Sequence, residues 1–226
     1  MSLPIDNDSS KYSLGWLWLI MFTFLLIFLT CFLPRRFKRA LNVVLLTGLS
    51  DSGKTAIFSK IIFNKPKKSV TSLKENEAII EELNLKLIDL PGADRLRGRF
   101  WEQYRAKARH VVFILDSTTV ENKLRDISEF VYSLLCDGIL YKNRIKFTIA
   151  CNKQDLDGAK RKNHIRSLIE SELIAIRSTR AGQLGKTSDE EEEDHFAKND
   201  PQDILASVNY IELSVHNPEQ LIKLVL

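Results

Sequence analysis

The chain has 226 residues, with 33 lysines and arginines against 29 aspartates and glutamates and a formal net charge of +4. That length suits one domain with an addition, and the charge is too mild to argue for a nucleic-acid-binding protein. The 3 cysteines, Cys31, Cys136 and Cys151, are widely spaced and form no C-x-x-C pair, which excludes a disulfide framework or a zinc knuckle and points to a reducing compartment for the folded part.

Residues 1–13 begin the chain as a short polar tail containing Asp6, Asp8, Ser9 and Ser10. Leu14 to Leu33 then contain no charged residue. Twenty residues at about 1.5 Å each span about 30 Å, the thickness of a bilayer core. A cleaved signal peptide would have a basic start, a shorter apolar core and a small-residue cleavage site. A buried core helix is rarely apolar on every face over such a length. The expectation is therefore a transmembrane anchor over 14–33. Arg35, Arg36, Lys38 and Arg39 follow it, and only Lys11 precedes it. The positive-inside rule places the short N-terminus outside the cytosol and the remainder inside it. Residues 34–40 form a basic juxtamembrane linker, equally readable as a topology signal or a contact for anionic headgroups.

Residues 41–226 read as one α/β domain. The apolar run Asn42–Thr47 predicts a strand, and Ala56–Phe63 fits a helix. Between them stands Gly48-Leu49-Ser50-Asp51-Ser52-Gly53-Lys54-Thr55. This is G-x-x-x-x-G-K-[ST], the phosphate-binding loop, in its strand–loop–helix setting. Its glycines let successive N–H groups turn toward phosphate oxygens. Lys54 supplies charge to the β- and γ-phosphates, and the Thr55 hydroxyl can ligate Mg²⁺. The loop alone does not distinguish ATP from GTP.

A Pro-broken polar stretch, Lys65–Ser72, reads as a loop. Glu77–Glu82 and Leu83–Asp89 read as two adjacent strands. The second ends in Asp89-Leu90-Pro91-Gly92, a D-x-x-G motif. Its carboxylate suits Mg²⁺, and its glycine N–H suits a γ-phosphate. Arg95–Ala108 predicts a helix, with Trp101 and Tyr104 packing in the core rather than facing a partner. His110–Leu115 is a continuous apolar strand, as buried parallel strands are. Val120–Cys136 predicts an amphipathic helix, and Arg144–Cys151 another buried strand.

That strand ends in Asn152-Lys153-Gln154-Asp155. The N-K-x-D pattern offers a carboxylate, Asp155, to the N1 and N2 donors of guanine. Adenine lacks that pair, and a polar site rejects an analogue that leaves its groups unpaired. Asp157–Arg177 predicts a helix. Ser178–Asp203 is a polar insertion carrying the acidic run Asp189–Asp194, read as a solvated segment rather than a dock for a basic partner. Val208–Leu213 is a last strand and Pro218–Leu226 a terminal helix. About six strands alternating with helices, with one early antiparallel pair, predict a doubly wound, mostly parallel sheet with its ligand at the strands' carboxyl ends.

The motif order resembles the small Ras-like GTPases over residues 42–226. The apolar anchor, GLSDSGKT (48–55), DLPG (89–92), RAKARHVVFILDS (105–117), ACNKQD (150–155) and GQLGK (182–186) together resemble the signal recognition particle receptor β-subunit family. The resemblance implies an endoplasmic reticulum membrane protein with a cytosolic GTPase domain. In that family the GTP-bound domain holds the N-terminal domain of the receptor α subunit, with ribosome and translocon as further partners. It implies GTP and Mg²⁺ as ligands. The GTP-binding set would be Gly48, Leu49, Ser50, Asp51, Ser52, Gly53, Lys54, Thr55, Ala56, Thr71, Ser72, Gly92, Asn152, Lys153, Asp155, Ser214 and Val215, the last two lying against the base through backbone. Thr55, Thr71 and Asp89 would serve the metal.

Two departures from the pattern stand out. Ala93 stands after D-x-x-G, where active switches of this kind carry a Gln that orients the attacking water. Arg95 and Arg97 are near enough in sequence to compensate. Ser214-Val215-His216 replaces the usual S-A-K. The expectation is a GTP-holding tether with very slow hydrolysis and no catalytic residue of its own. A cycling Arf-like transport GTPase is the alternative, but it needs reversible membrane release. An ATP-dependent enzyme is disfavoured by Asn152–Asp155.

Overall fold

The computed structural model describes residues 18–28, 42–66, 74–184 and 201–225. It divides into two compact units, residues 1–40 and 41–226. In the first unit, residues 18–28 form helix α1, and all eleven side chains are exposed. The rest of the expected anchor, 14–17 and 29–33, lies outside the described residues, as does the basic linker 34–40. Among the described residues no helix is long and apolar enough to cross a membrane.

The second unit is a six-stranded sheet in the order β2-β3-β1-β4-β5-β6. The strands are β1 (Asn42–Thr47), β2 (Asn76–Ile80), β3 (Leu85–Asp89), β4 (Ala108–Asp116), β5 (Lys146–Asn152) and β6 (Val208–Glu212). All neighbours run parallel except β2 and β3, which are antiparallel. The α/β doubly wound expectation holds.

Alternation along the strands feeds two apolar layers. On one face Leu45, Ile88, Val111, Phe113 and Ile149 meet α4 (Leu124–Leu135) and α6 (Lys162–Leu184). On the other, Val44, Leu46, Leu87 and Ile114 meet Ile57 and Phe58 of α2 (Lys54–Phe63) and Leu221 of α8 (Glu219–Val225). Trp101 and Tyr104, on α3 (Asp94–Tyr104), are buried in the first layer as expected.

Several boundaries differ from the sequence reading. A 3-10 turn at Arg105–Lys107 follows α3, and Ala108 already belongs to β4, where it pairs with Val43. Residues 117–123 are turns, so α4 starts at Leu124. The short helix α5 (Gly138–Lys142) is an addition, capped by the Asp137 carboxylate accepting from the Ile139 N–H at 2.9 Å. Helix α6 starts later than expected and runs to Leu184, into the segment read as a polar insertion. Its buried stripe, Ile165, Ile169, Leu173 and Ile176, ties it to the core. The acidic run 189–194 lies outside the described residues. Helix α7 (Pro201–Ala206) closes the segment and buries Ile204 and Leu205.

Candidate nucleotide-binding site

Strand β1 delivers the Gly48–Thr55 loop, and α2 carries it away. Gly48 has φ 139°, and a Cβ there would stand 2.1 Å from the backbone oxygen of Ile114 on β4. Gly53 caps α2 at φ 91°, and a Cβ there would stand 2.4 Å from Asn152 Nδ2 on β5. Both positions combine left-handed backbone with close approach, which only glycine accepts without strain. Asp51, also left-handed at φ 64°, completes the curl.

Lys54 folds back under the loop, donating from Nζ to the Leu49 carbonyl at 2.7 Å and to Ser52 Oγ at 3.3 Å. Burial lowers its pKa to about 8, against the opposing pull of Asp89 and Asp51. Gly92 closes over this ammonium. A Cβ on Gly92 would come within 2.8 Å of Lys54 Nζ and 2.9 Å of the Ser50 nitrogen. The D-x-x-G turn and the phosphate loop therefore form one cradle.

Asp89, at the end of β3, is buried. Its Oδ2 accepts from Thr55 Oγ1 at 2.7 Å and from Asn76 Nδ2 at 3.0 Å. Its Oδ1 is buried with no hydrogen-bond partner among the described residues. Burial raises its pKa, against the opposing effect of those two hydrogen bonds and of Lys54. A carboxylate oxygen with open lone pairs, beside a threonine hydroxyl, is the donor set a hard divalent cation takes. Thr71 and Ser72, the expected switch-loop hydroxyls, lie outside the described residues.

Strand β5 delivers the Asn152–Asp155 loop. Asn152 is fully buried, and its Nδ2 donates to the Ser52 carbonyl at 2.8 Å. Lys153, at φ 64°, donates from Nζ to Asp116 Oδ2 at 2.6 Å. Burial pushes the Asp116 pKa up, but hydrogen bonds from Lys153 and Thr118 outweigh it and hold the carboxyl below its ordinary value. Gln154 Nε2 donates to Ser117 Oγ at 2.8 Å and to the Lys160 carbonyl at 2.9 Å. Asp155 Oδ1 accepts from Ser214 Oγ at 2.6 Å, and the His216 N–H donates to that same hydroxyl oxygen at 3.2 Å. Ser214 thus acts through its side chain as well as lying in the loop. Val215 is half-buried against the second apolar layer.

Ala56 sits in the first turn of α2, half-buried. Ala93 is the extended residue that precedes α3. Its methyl group carries no polar atom to hold water. Arg97 is paired with Asp94, and its guanidinium lies 4.4 Å from the centre of the Phe130 ring. Arg95 is exposed. Four contributors escaped the sequence reading: Asn76, Asp116, Ser117 and Gln154. Asp116 carried a usable signal, a carboxylate ending a buried strand just as Asp89 does. Asn76 carried none, because its role depends on the register that pairs it with Asp89.

The geometry brings the Gly48–Thr55 loop, Asp89 and the Asn152–Asp155 loop to the carboxyl ends of β1, β3 and β5. Residues 39–201 match the model of the signal recognition particle receptor beta subunit. The chain belongs to that family. It is 39% identical over 149 residues to the signal recognition particle receptor subunit beta of Rattus norvegicus. That match covers 64% of this chain, which spans about half (55%) of the rat protein's length. A solved structure of the mammalian SRP receptor aligns at 32% identity and TM-score 0.67, covering 81% of this chain and 98% of the solved one. The GDP–Mg form of SRb from Chaetomium thermophilum shares the fold at 24% identity and TM-score 0.61, covering 82% and 98%.

Proposed function

We propose that this chain is the GTP-binding, membrane-anchored subunit of a signal recognition particle receptor, which tethers the receptor α subunit to the endoplasmic reticulum through that subunit's N-terminal domain. The observation that carries the proposal is the convergence of Lys54, Asp89 and Asp155 at one end of the sheet, in a chain of this family. Gly48 to Ala56 and Gly92 hold phosphates. Thr55 and Asp89, with Thr71, hold Mg²⁺, which neutralises charge on the β- and γ-phosphates when bound. Asp155, oriented by Ser214, accepts from guanine N1 and N2, while Asn152 and Lys153 brace its loop. Residues 14–33 form the anchor, 1–13 the lumenal tail, and 41–226 the cytosolic domain. Ribosome and translocon are the neighbours such a tether serves.

Hydrolysis is very slow. Ala93 cannot orient water, and Arg97 is tied to Asp94 and Phe130. GTP then acts mainly as a structural ligand that keeps the partner-facing loops in one conformation. Chromatography of nucleotide released from the purified full chain should give mostly GTP. Mostly GDP would contradict slow hydrolysis, and adenine nucleotide would contradict the base assignment. The GTP-loaded chain should capture the receptor α subunit from solubilised membranes, and failure to do so rejects the tether.

A further inference from the structure

The amino-terminal ends of the parallel strands form the edge of the sheet opposite the nucleotide loops. Register places Asn42 beside Leu85, Val43 beside Ala108, His110 beside Lys146, and Phe147 beside Val208. Five cations gather where β4 and β5 begin. Lys107 and Arg109 flank Ala108, Lys142 and Arg144 lie in the segment entering β5, and Lys146 opens that strand. All five are exposed and none forms an ion pair with a carboxylate among the described residues, although Lys107 Nζ lies 5.8 Å from the centre of the Tyr104 ring and acts electrostatically on Glu77. Three exposed arginines elsewhere pair with carboxylates, Arg125 with Glu129 and Glu172, Arg161 with Glu212 and Arg166 with Glu170, whereas Arg95 and Arg99 are exposed without such a pair among the described residues. Asp137, the nearest buried carboxylate in sequence, is turned to Trp101 and Arg105. Glu81 and Glu82 sit at the far end of the row, before β3. Arg144 adopts left-handed backbone, φ 50°, a conformation in which glycine or asparagine is less strained.

Strand β1 starts at this same edge. Only residues 34–41 lie between the apolar run and Asn42, and fully extended they reach at most about 30 Å. We infer that the Lys107–Arg109–Lys142–Arg144–Lys146 edge docks on an anionic phospholipid surface. The inference rests on the proposed membrane anchor. Unpaired exposed cations gain most from a negatively charged surface within a Debye length. Tyr141, exposed beside Lys142, is of the residue type enriched at membrane–water interfaces. The domain is thereby held with its nucleotide loops turned away from the lipid, open to a partner. A second set of cations on the folded domain adds an orientation that the anchor alone does not supply.

The full chain is reconstituted into nanodiscs of phosphatidylcholine, with or without 30% phosphatidylserine as the test's lipid variable. Backbone hydrogen exchange is read over residues 105–110 and 141–147. Phosphatidylserine should slow exchange there severalfold, and the Lys107→Gln, Arg109→Gln, Lys142→Gln, Arg144→Gln, Lys146→Gln variant should lose that effect. Circular dichroism and retained nucleotide confirm that the variant is folded. Equal exchange in both lipids, or an unchanged variant, overturns the docking edge while leaving the anchor standing. Failure of the chain to float with phosphatidylcholine vesicles overturns the anchor and the inference together. Protection by single-stranded RNA but not by phosphatidylserine assigns the edge to nucleic acid and overturns the lipid surface.

Discussion

The Asn152 side-chain amide donates to the Ser52 carbonyl at 2.8 Å, joining the end of β5 to the phosphate loop at the end of β1. The two strands are separated by β4, so this bond ties the Asn152–Asp155 loop to the Gly48–Thr55 loop across the sheet. Asn152→Ala leaves a buried carbonyl unpaired, which costs about 1–3 kcal/mol. Urea unfolding should show that loss, and guanine nucleotide should dissociate faster. A variant with unchanged stability and off-rate would remove the bond from the account.

Two glycines make opposite predictions. Gly48→Ala drives a methyl into the Ile114 carbonyl at 2.1 Å, from backbone at φ 139°. It should abolish nucleotide retention and lower the melting temperature. Gly98, inside α3, has nothing within 4 Å of where a Cβ would lie. Gly98→Ala should therefore stabilise the domain by about 0.5–1 kcal/mol through helix propensity. Differential scanning calorimetry of both variants checks the pair.

Lys54 couples nucleotide binding to pH. Burial lowers its pKa from 10.5 to about 8 in the nucleotide-free fold. Between those values the unfolded chain binds more protons than the folded one, so the folded chain gains stability as pH rises through that window. Lys54→Met should remove that gain. Bound phosphate favours the ammonium, so nucleotide binding above pH 8 should take up a proton. Affinity should then fall with rising pH, by up to about tenfold per unit. Calorimetry in buffers of different ionisation enthalpy measures the uptake directly.

His110 acts at the other end of the pH scale. It is buried, shares a hydrogen bond with Thr148 Oγ1 at 2.9 Å, and burial lowers its pKa to about 4. Its contribution is present above pH 6.5 and is lost as pH falls toward 4. The loss amounts to about 3 kcal/mol at roughly 1.4 kcal/mol per unit. His110→Gln should flatten the stability profile across that range. An unchanged profile would place the acid sensitivity elsewhere.

The features legible in the sequence were those written as contiguous chemistry. Gly48–Thr55, Asp89–Gly92 and Asn152–Asp155 each lie within a few residues, next to an apolar strand that fixes where they end. The contacts that escaped notice depend on register or on folding back. Asn76 reaches Asp89 because β2 runs antiparallel to β3. Ser214 reaches Asp155 because β6 sits beside β5. Helix α6 outran its expected end because polarity after Arg177 resembled a loop, while the Arg180 guanidinium lies 4.6 Å from the centre of the buried Tyr132 ring. The α5 turn depended on one capping carboxylate, Asp137, too short a signal to separate from a loop.

The most direct test of the account exchanges the base. Wild-type chain should bind GTP far more tightly than xanthosine triphosphate. Asp155→Asn should reverse that order, because an amide donates where the carboxylate accepts. Competition of each triphosphate against a fluorescent guanine nucleotide reads both affinities. A reversed preference is the predicted result; an unchanged preference for GTP in Asp155→Asn would contradict the assignment of Asp155 to the base.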